Sequence, residues 1–522
     1  MFDSKFDHVD DGALVGEIEQ LAREEAKVAA RRLAAIAELV HRSVGEDDER
    51  ARWAVDPWSH TAARLAAALG VGQRRASGQM RIAVALRDRL PAVAALFGQG
   101  LIGARLISEI TWRTQLVDND ELIALIDTEL ADKAVRWGTL SEGQLDRAID
   151  AVIERYDPDG VRRAKDAVRT RDFHIGACED TNEITVVWGR LTPTDAAALR
   201  RRITAMVAGL CADDPRSAGE RWADAVGALG HGTTVLACRC GGAQCPSAQT
   251  APASAVAIRV IADQAAVDAA RRLIAAEDTA HAQAKAAKPE PARPHDAEPP
   301  QDPETTPPQD PEPPRDPEPT QDAEPPRLTD SGVALLPGRG VIPTPVLAEA
   351  IRGGAKVNPL WLPGPDPEPQ YRPSARLAEF IRVRDMFCRF PGCDVPADRC
   401  DIDHVNPWPL GPTHPSNLNC KCRTHHLIKT FWGGPGGWRD TQWPDGTVIW
   451  TAPDGRTHTT RPGSTLFFPA HNLTTADLPP PTSDPPDPAA ARSMMMPRRR
   501  RTRAADDAAR IKTERAQNIQ AT

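Results

Sequence analysis

The chain has 522 residues, of which 41% are hydrophobic and 26% are charged, and its formal net charge at pH 7 is −8. No run approaches the about 18 apolar residues of a transmembrane helix, which excludes a protein that spans a membrane with helices. The first residues contain neither the basic nor the apolar region of a secretory signal, so we expect a cytoplasmic protein. From its length we expect two to three domains.

The first half of the chain is predicted to be mainly helical. Residues 13–42 place apolar side chains such as Ile18 and Ile36 at helical spacing, and residues 58–156 are rich in alanine, leucine and arginine. Residues 61–90 fit two helices around a turn with two glycines. This pair is either a helix-turn-helix or, as we favour, part of a plain helical bundle.

A small β element follows, since residues 173–175 and 183–188 are predicted to form a hairpin. A helix is then expected from about Thr194. We therefore predict a helical domain over residues 10–275, mainly α with this small β element.

The negative charge is concentrated in a proline-rich segment. Residues 289–326 contain 15 prolines and 11 acidic residues but only two arginines, which gives them a net charge of −9. Proline and repulsion between like charges predict a disordered linker over residues 283–330. A second low-complexity segment, residues 471–522, is predicted to be a disordered tail with an arginine run.

Between the two low-complexity segments, residues 371–465 are predicted to form a compact α+β domain. A short helix is expected near its start, and two Asp-Gly turns, at Asp445 and Asp454, predict a small β-meander near its end. Residues 371–461 have a net charge of +3, so the global charge does not argue against a nucleic-acid partner.

Two spaced pairs in this domain indicate a zinc site. Cys388 and Cys393 form one pair, and Cys422 and His425 form the other. Three thiolates and one imidazole suit a tetrahedral structural zinc ion, which would stabilise a loop-rich domain of this size.

A second group in the same stretch consists of Asp403, His404, Asn417 and His426. On a helix, His426 points about 100° away from His425, so the two imidazoles can serve different centres. An acid and an imidazole can hold one divalent cation, and an adjacent imidazole can deprotonate a water molecule.

This ordered combination resembles the HNH endonuclease family and its ββα-metal (His-Me finger) fold. The resemblance implies that His404 is the general base and that Asp403 and His426 bind the catalytic metal. It also implies that Asn417 holds the loop of His404 by hydrogen bonds and that Lys429, a possible phosphate contact, stands at the family's usual lysine position.

Two departures from the usual pattern concern the metals. The second zinc pair ends in His425 rather than cysteine, and imidazole is an ordinary zinc ligand. Thr430 stands where some members have a further histidine, which favours Mg²⁺ or Mn²⁺ as the catalytic metal.

The rest of the chain resembles the actinobacterial 13E12-repeat family, on stretches such as 86–91 and 238–246. In that family a helical domain of the DUF222 type precedes an HNH domain. The resemblance implies this domain order for residues 10–270 and 340–470.

A further cysteine cluster leaves two interpretations open. Cys238, Cys240 and Cys245 can form a second zinc site with His231 or Cys211, although Cys-x-Cys-x4-Cys is not a standard zinc spacing. Free thiols in a turn are the other interpretation, because disulfides are rare in a reducing compartment.

The sequence predicts a metal-dependent HNH endonuclease that hydrolyses DNA phosphodiester bonds. We expect neither association with a membrane nor a small-molecule cofactor. The alternative is a non-catalytic, zinc-stabilised DNA-binding or interaction protein that retains the HNH fold. Zinc alone does not separate them, because a structural zinc site fits both. The sequence does not indicate the DNA site or the oligomeric state.

Overall fold

The computed structural model describes residues 6, 8–45, 48–137, 140–161, 172–176, 185–242, 245, 259–286, 332–337, 340–478 and 496–520. The chain is mainly helical with small sheets and divides into two compact units. The first contains residues 1–172, 190–192 and 360–522, and the second contains residues 173–189 and 193–359.

The first unit begins with a helical bundle, as expected. Its helices are α1 (Asp11–Ser43), α2 (Pro57–Leu69), α3 (Gln73–Asp88), α4 (Pro91–Gln99), α5 (Ala104–Arg113), α6 (Asp120–Ala134) and α7 (Glu142–Tyr156). Fully buried side chains at helical spacing form its core, including Met80, Phe97, Ile110, Ile126 and Ile149. In α1 the predicted apolar stripe is buried only in the second half, where Ile36 lies, whereas Ile18 is exposed.

Helices α2 and α3 are joined by a short turn at Gly70. Asp56 begins α2 by accepting a hydrogen bond from the amide of Ser59 (2.8 Å), and Gly70 ends it with a φ of +62°. Such a left-handed residue after a helix favours glycine, which explains this break in the sequence.

The second unit combines short strands with helices. Its elements are β1 (Asp172–Ile175), β2 (Val187–Arg190), α8 (Pro193–Ala208), α9 (Ala218–Gly230), β3 (Ile261–Ala262), α10 (Gln264–Ala286), β4 (Ala334–Leu336), β5 (Gly340–Ile342) and α11 (Thr344–Arg352). Strands β1 and β2 form a two-stranded sheet where the hairpin was expected, and β3, β4 and β5 form a three-stranded antiparallel sheet.

The C-terminal part of the first unit carries the motif residues. Its elements are α12 (Ala375–Asp385), β6 (Cys400–His404), β7 (Leu418–Cys422), α13 (Arg423–Phe431), β8 (Arg439–Gln442), β9 (Val448–Thr451), β10 (Thr457–Thr460) and α14 (Gly463–Phe467). Strands β6 and β7 pair antiparallel, with Cys400 opposite Cys422 and His404 opposite Leu418. Strands β8, β9 and β10 form the expected antiparallel meander. A hairpin is thus followed at once by a helix in the stretch that carries the motif residues.

The unit boundaries differ from the predicted domains. Residues 10–275 are divided between the two units, and residues 371–465 share a unit with the N-terminal helices. The reason is a common core, in which Val55, Ala63 and Ala67 pack in one cluster with Trp438 and Trp450. The predicted linker over residues 283–330 lies outside the described residues, apart from 283–286, which end α10.

The predicted disordered tail over residues 471–522 is wrong for its last part. Helix α15 (Arg503–Gln520) ends the described chain, and Arg503 donates to the buried carboxylate of Asp56 through Nε at 2.9 Å. Arg515 donates to Asp157 at 2.6 Å. Specific acidic partners therefore order an arginine-rich segment that its composition alone predicts to be disordered. Residues 479–495 lie outside the described residues.

None of the helices in the described part of the chain combines the length and the apolar character that crossing a membrane requires.

Candidate functional site

The four predicted zinc ligands converge in the first unit. The side-chain donor atoms of Cys388, Cys393, Cys422 and His425 all lie within 4.8 Å of one another. Nδ1 of His425 is 3.4 Å from Sγ of Cys388 and 3.2 Å from Sγ of Cys422. This group can hold a metal ion such as zinc, because three thiolates and one imidazole are a common tetrahedral zinc set.

The surroundings of this group fit a metal. Burial disfavours a charged Cys388, but hydrogen bonds from the neighbouring thiols and from His425 outweigh it and hold the pKa of Cys388 well below its usual value. The amide of Cys422 also donates to Sγ of Cys388 at 3.3 Å. A thiolate is thus favoured where a metal needs one.

Aromatic rings cover the group on one side. Phe390 stacks on the imidazole of His425 at 3.9 Å between centroids, and Trp438 and Trp450 meet Phe390 edge-on. Both tryptophans are almost fully buried, so they are core rather than base-stacking residues.

Glycine allows the loop that carries Cys388 and Cys393 to meet the helical bundle. A Cβ atom at Gly392 would lie 2.5 Å from the carbonyl oxygen of Val71 in the α2–α3 turn, and the φ of Gly392 is +72°. This loop therefore packs against the N-terminal helices.

Part of the second predicted group lies around His426 at the start of α13. Nε2 of His426 lies 3.3 Å from Oδ1 of Asp403, and Nδ1 lies 2.8 Å from Oδ2 of Asp401. Burial disfavours the charged imidazole, but hydrogen bonds and charge from Asp403 and Asp401 outweigh burial and raise the pKa of His426. Two of the predicted residues, Asp403 and His426, are thus in direct contact.

Two lysines neutralise Asp403 from its other side. Lys429 and Lys421 reach Oδ2 at 2.7 Å and 3.1 Å, and Lys421 also binds Asp440 at 2.9 Å. Burial alone would raise the pKa of Asp403, but the two ammonium groups and His426 hold it well below its usual value. Asp403 is therefore a carboxylate at neutral pH.

His404 ends β6 and is 6% exposed. Its Nε2 lies 3.0 Å from Oγ1 of Thr413, and its ring stacks on Tyr371 at 5.3 Å between centroids. Burial lowers the pKa of His404, and this outweighs the opposing charge of Asp403. A neutral imidazole is the form that can accept a proton.

Asn417 closes the loop between β6 and β7. Its Oδ1 accepts from the amide of Asn406 (2.8 Å), and its Nδ2 donates to the carbonyl oxygens of Asn406 (3.1 Å) and Pro412 (2.9 Å). A Cβ atom at Gly411 would lie 2.5 Å from Nδ2 of Asn417, so this approach needs glycine. Asn417 thus holds the loop, as the resemblance implied.

Sequence reasoning missed several residues of this network. Asp401 could have been found, because it is two residues before Asp403 and so lies on the same face of β6. Lys421, Asp440 and Thr413 carry no motif signal, since each meets the site through distant pairing or a loop. Lys429 stands at its expected place, yet its ammonium binds Asp403 and the carbonyl oxygen of His404.

A second group of cysteines converges in the other unit. Cys211, Cys238, Cys240 and Cys245 have sulfur atoms within 4.8 Å of one another, so they too can hold a metal ion. Among the described residues, the side chain that joins the predicted cysteines 238, 240 and 245 is therefore Cys211 and not His231. Cys178 lies outside the described residues.

Comparison with known proteins places the chain among mycobacterial relatives. Residues 20–287 match the model of the "Domain of unknown function (DUF222)" family. "Uncharacterized protein Rv2100" of Mycobacterium tuberculosis (strain ATCC 25618 / H37Rv) is 52% identical over 474 residues, which cover 90% of this chain and 81% of that protein. "Uncharacterized protein Rv3776" of the same strain is 49% identical over 514 residues, which cover 98% and 91%.

A shorter relative, "Uncharacterized protein in est 3'region" of Mycobacterium tuberculosis, is 44% identical over 374 residues, 71% of this chain and 96% of that protein. No solved structure matches the chain. The match to the family model covers more than half of the chain, and the chain belongs to the DUF222 family.

Proposed function

We propose that residues 371–470 form the centre of a metal-dependent HNH endonuclease that hydrolyses DNA phosphodiester bonds. The observation that carries the proposal is the contact between Asp403 of β6 and His426 of α13, with His404 next to Asp403 at the end of the same strand. This centre lies beside the separate group formed by Cys388, Cys393, Cys422 and His425. That group holds the elements that carry the centre in a fixed position.

Asp403 and His426 fit a divalent cation. Both lysines bind Oδ2 of Asp403, so Oδ1 remains directed at Nε2 of His426. One carboxylate oxygen and one imidazole nitrogen suit Mg²⁺ or Mn²⁺. A cation held there would supply positive charge for the phosphodiester and its leaving oxygen.

His404 supports the proposal through its tautomer. The hydroxyl of Thr413 donates to the carbonyl oxygen of Tyr371 (3.2 Å), so its oxygen accepts from Nε2 of His404. With the proton on Nε2, the lone pair is on Nδ1. The lowered pKa keeps His404 neutral at pH 7, and Nδ1 then takes the proton of the attacking water.

Lys429 and Asn417 act as positioning residues in this proposal. Lys429 ties the carboxylate of Asp403 to the backbone of His404, and Asn417 fixes the loop that follows. Neither needs to touch DNA to support the reaction. A phosphate contact by Lys429 would require it to leave these partners.

The second candidate function is binding of DNA without cleavage. It is favoured by the pairing of Asp403 with two ammonium groups, because this pairing weakens the attraction of the carboxylate for a cation. In that case the group around Cys422 stabilises the fold and the centre around His426 is structural.

The test is cleavage of supercoiled plasmid DNA by the full chain with Mg²⁺, with Mn²⁺ and with EDTA. We expect nicked or linear products with either metal and none with EDTA. Asp403→Asn should abolish cleavage. Its matched control is Asp401→Asn, which alters a neighbour on the same face of β6 but keeps an oxygen that can accept from Nδ1 of His426.

We expect Asp401→Asn to lose much less activity than Asp403→Asn, with equal zinc content in both variants. A wild-type chain that shifts DNA in a gel but does not cleave it with any metal would establish the second candidate instead. Equal cleavage by the two variants would reject Asp403 as a ligand.

A further inference from the structure

The cysteine group of the second unit gathers four sulfur atoms from two separate segments. Cys211 follows α8, whereas Cys238, Cys240 and Cys245 come from the irregular segment after α9. Sγ of Cys211 and Sγ of Cys238 are 3.3 Å apart, and all four sulfur atoms lie within 4.8 Å of one another. Four thiols around one point are two more than a single disulfide uses.

The sulfur spacing fits a metal better than a disulfide. A disulfide requires about 2.05 Å between sulfur atoms. In a tetrahedral site with Zn–S bonds of about 2.3 Å, neighbouring sulfur atoms are about 3.8 Å apart. The observed range brackets that separation, so the four thiols surround a point where an ion fits.

The surroundings hold the two cysteine-bearing segments together before any ion binds. Asp214, in the segment after Cys211, is buried and accepts from Nε of Arg216 (3.0 Å) and from the amide of Arg239 (3.0 Å). Arg216 in turn donates to the carbonyl oxygen of Ala237 (2.8 Å). The residues on both sides of Cys238 are therefore bonded to the Cys211 segment.

A backbone donor also suits an anionic centre. Four thiolates around Zn²⁺ carry a net charge of −2, which needs nearby donors. The amide of Gly242 donates to Sγ of Cys240 (3.4 Å). Donors of this kind stabilise thiolates.

The helices that the group connects have little core of their own. In the described residues, the cluster between α8 and α9 has four buried members: Ile203, Met206, Ala225 and Leu236. Small assemblies with so little buried apolar surface commonly rely on a metal for stability. An ion bound by the cysteines would link the residues that follow α8 to the residues that follow α9.

We propose that Cys211, Cys238, Cys240 and Cys245 bind one Zn²⁺ ion that fastens the end of α8 to the segment after α9. This site is independent of the proposed nuclease centre and of the group around Cys422. It gives the DUF222 part of the chain a structural metal of its own.

The test is the zinc content of the purified full chain, measured by inductively coupled plasma mass spectrometry together with the protein concentration. We expect two zinc ions per chain in the wild type and one in Cys240→Ser. Cys240→His keeps a zinc donor and should retain two. The matched control is Cys400→Ser, which removes a described cysteine of β6 that belongs to neither group and should retain two.

Cys422→Ser separates this site from the first one, because it should also contain one zinc ion, held by the group around Cys240. The double variant Cys240→Ser, Cys422→Ser should contain none. Cobalt substituted into Cys422→Ser should show sulfur-to-metal charge-transfer absorption that the double variant lacks.

One zinc ion in the wild type that disappears entirely in Cys422→Ser would overturn the proposal. A wild-type mass two hydrogens below that of the reduced chain, with a peptide linking Cys211 to Cys238, would replace it with a disulfide. Iron in place of zinc would overturn the assignment of the metal.

Discussion

His425 and His426 are consecutive residues of α13 whose imidazoles face two different centres. Nδ1 of His425 lies 3.2 Å from Sγ of Cys422, whereas Nε2 of His426 lies 3.3 Å from Oδ1 of Asp403. Consecutive helical residues point about 100° apart, so one turn of helix can serve both. The group of possible zinc ligands around Cys422 and the proposed nuclease centre therefore share one helix, α13.

Removing one thiol of the zinc-type group should unfold the C-terminal part of the first unit. We expect Cys422→Ser to lose the zinc ion of this group, to lose tertiary circular dichroism and, as a consequence, to lose cleavage. The matched control is Cys400→Ser, because Cys400 lies opposite Cys422 in the hairpin but outside the group. Undiminished zinc in Cys422→Ser would show that these side chains do not form a metal site.

Acid should destabilise the first unit through His60. This imidazole stacks on Trp432 at 4.1 Å, and burial, helped by Arg64 and Arg50, lowers its pKa to about 3. The unfolded chain binds this proton below about pH 6.5 and the folded chain does not, so stability is complete above that pH and falls towards pH 3. Each pH unit in that window is worth up to about 1.4 kcal/mol.

The measurement for His60 is the free energy of unfolding in urea as a function of pH. We expect His60→Phe, which keeps a ring against Trp432 and cannot be protonated, to lose less stability on acidification than the wild type. The control is His41→Phe, which replaces an exposed histidine of α1. Parallel pH profiles for the wild type and His60→Phe would exclude His60 as the source.

The start of the C-terminal helix should be released when Arg503 is replaced, while Arg515 still holds the end of the helix on Asp157. Arg503 donates to Asp56 through Nε (2.9 Å) and Nη2 (3.2 Å), and Asp56 also caps α2. Arg503→Ala should therefore raise the rate of trypsin cleavage after residues 498–500 while α2 keeps its cap. Arg501→Ala, at an exposed position two residues away, should leave the digestion rate at the remaining sites unchanged. Equal rates in both variants would contradict the anchor.

Local patterns predicted the β-meander and the two pairs of possible zinc ligands, because the residues of each are close in sequence. The helical period alone places His425 and His426 on different sides of α13. Contacts between distant segments were not predictable. Nothing near Val55 shows that its carbonyl oxygen accepts from Nε1 of Trp432 (3.0 Å), so residues 371–465 looked like an independent domain.

The same limit applies to charged and thiol groups. Arg503 looks like a solvated residue until its partner Asp56 is known, and Cys211 looks solitary until the fold brings it to Cys238. In both pairs, the two residues are separated along the chain by an intervening stretch. No local sequence pattern predicts how that stretch folds.

The acidic segment of residues 289–326 should be dispensable for chemistry. Its net charge of −9 repels DNA, so its deletion should leave the cleavage rate unchanged and strengthen non-specific DNA binding at low salt. Filter binding at two salt concentrations and plasmid cleavage measure the two effects. The control is a chain in which this segment is replaced by a neutral segment of equal length. Weaker binding after both changes would contradict a repulsive role.

The central claim is tested most directly by the initial rate of plasmid cleavage by His404→Ala in Mg²⁺ or Mn²⁺. Loss of a general base should slow cleavage about 10²–10⁴-fold, with zinc content and circular dichroism unchanged. His471→Ala, which replaces an exposed histidine of the same unit, should cleave like the wild type. Equal rates for His404→Ala and the wild type would contradict the proposed nuclease centre.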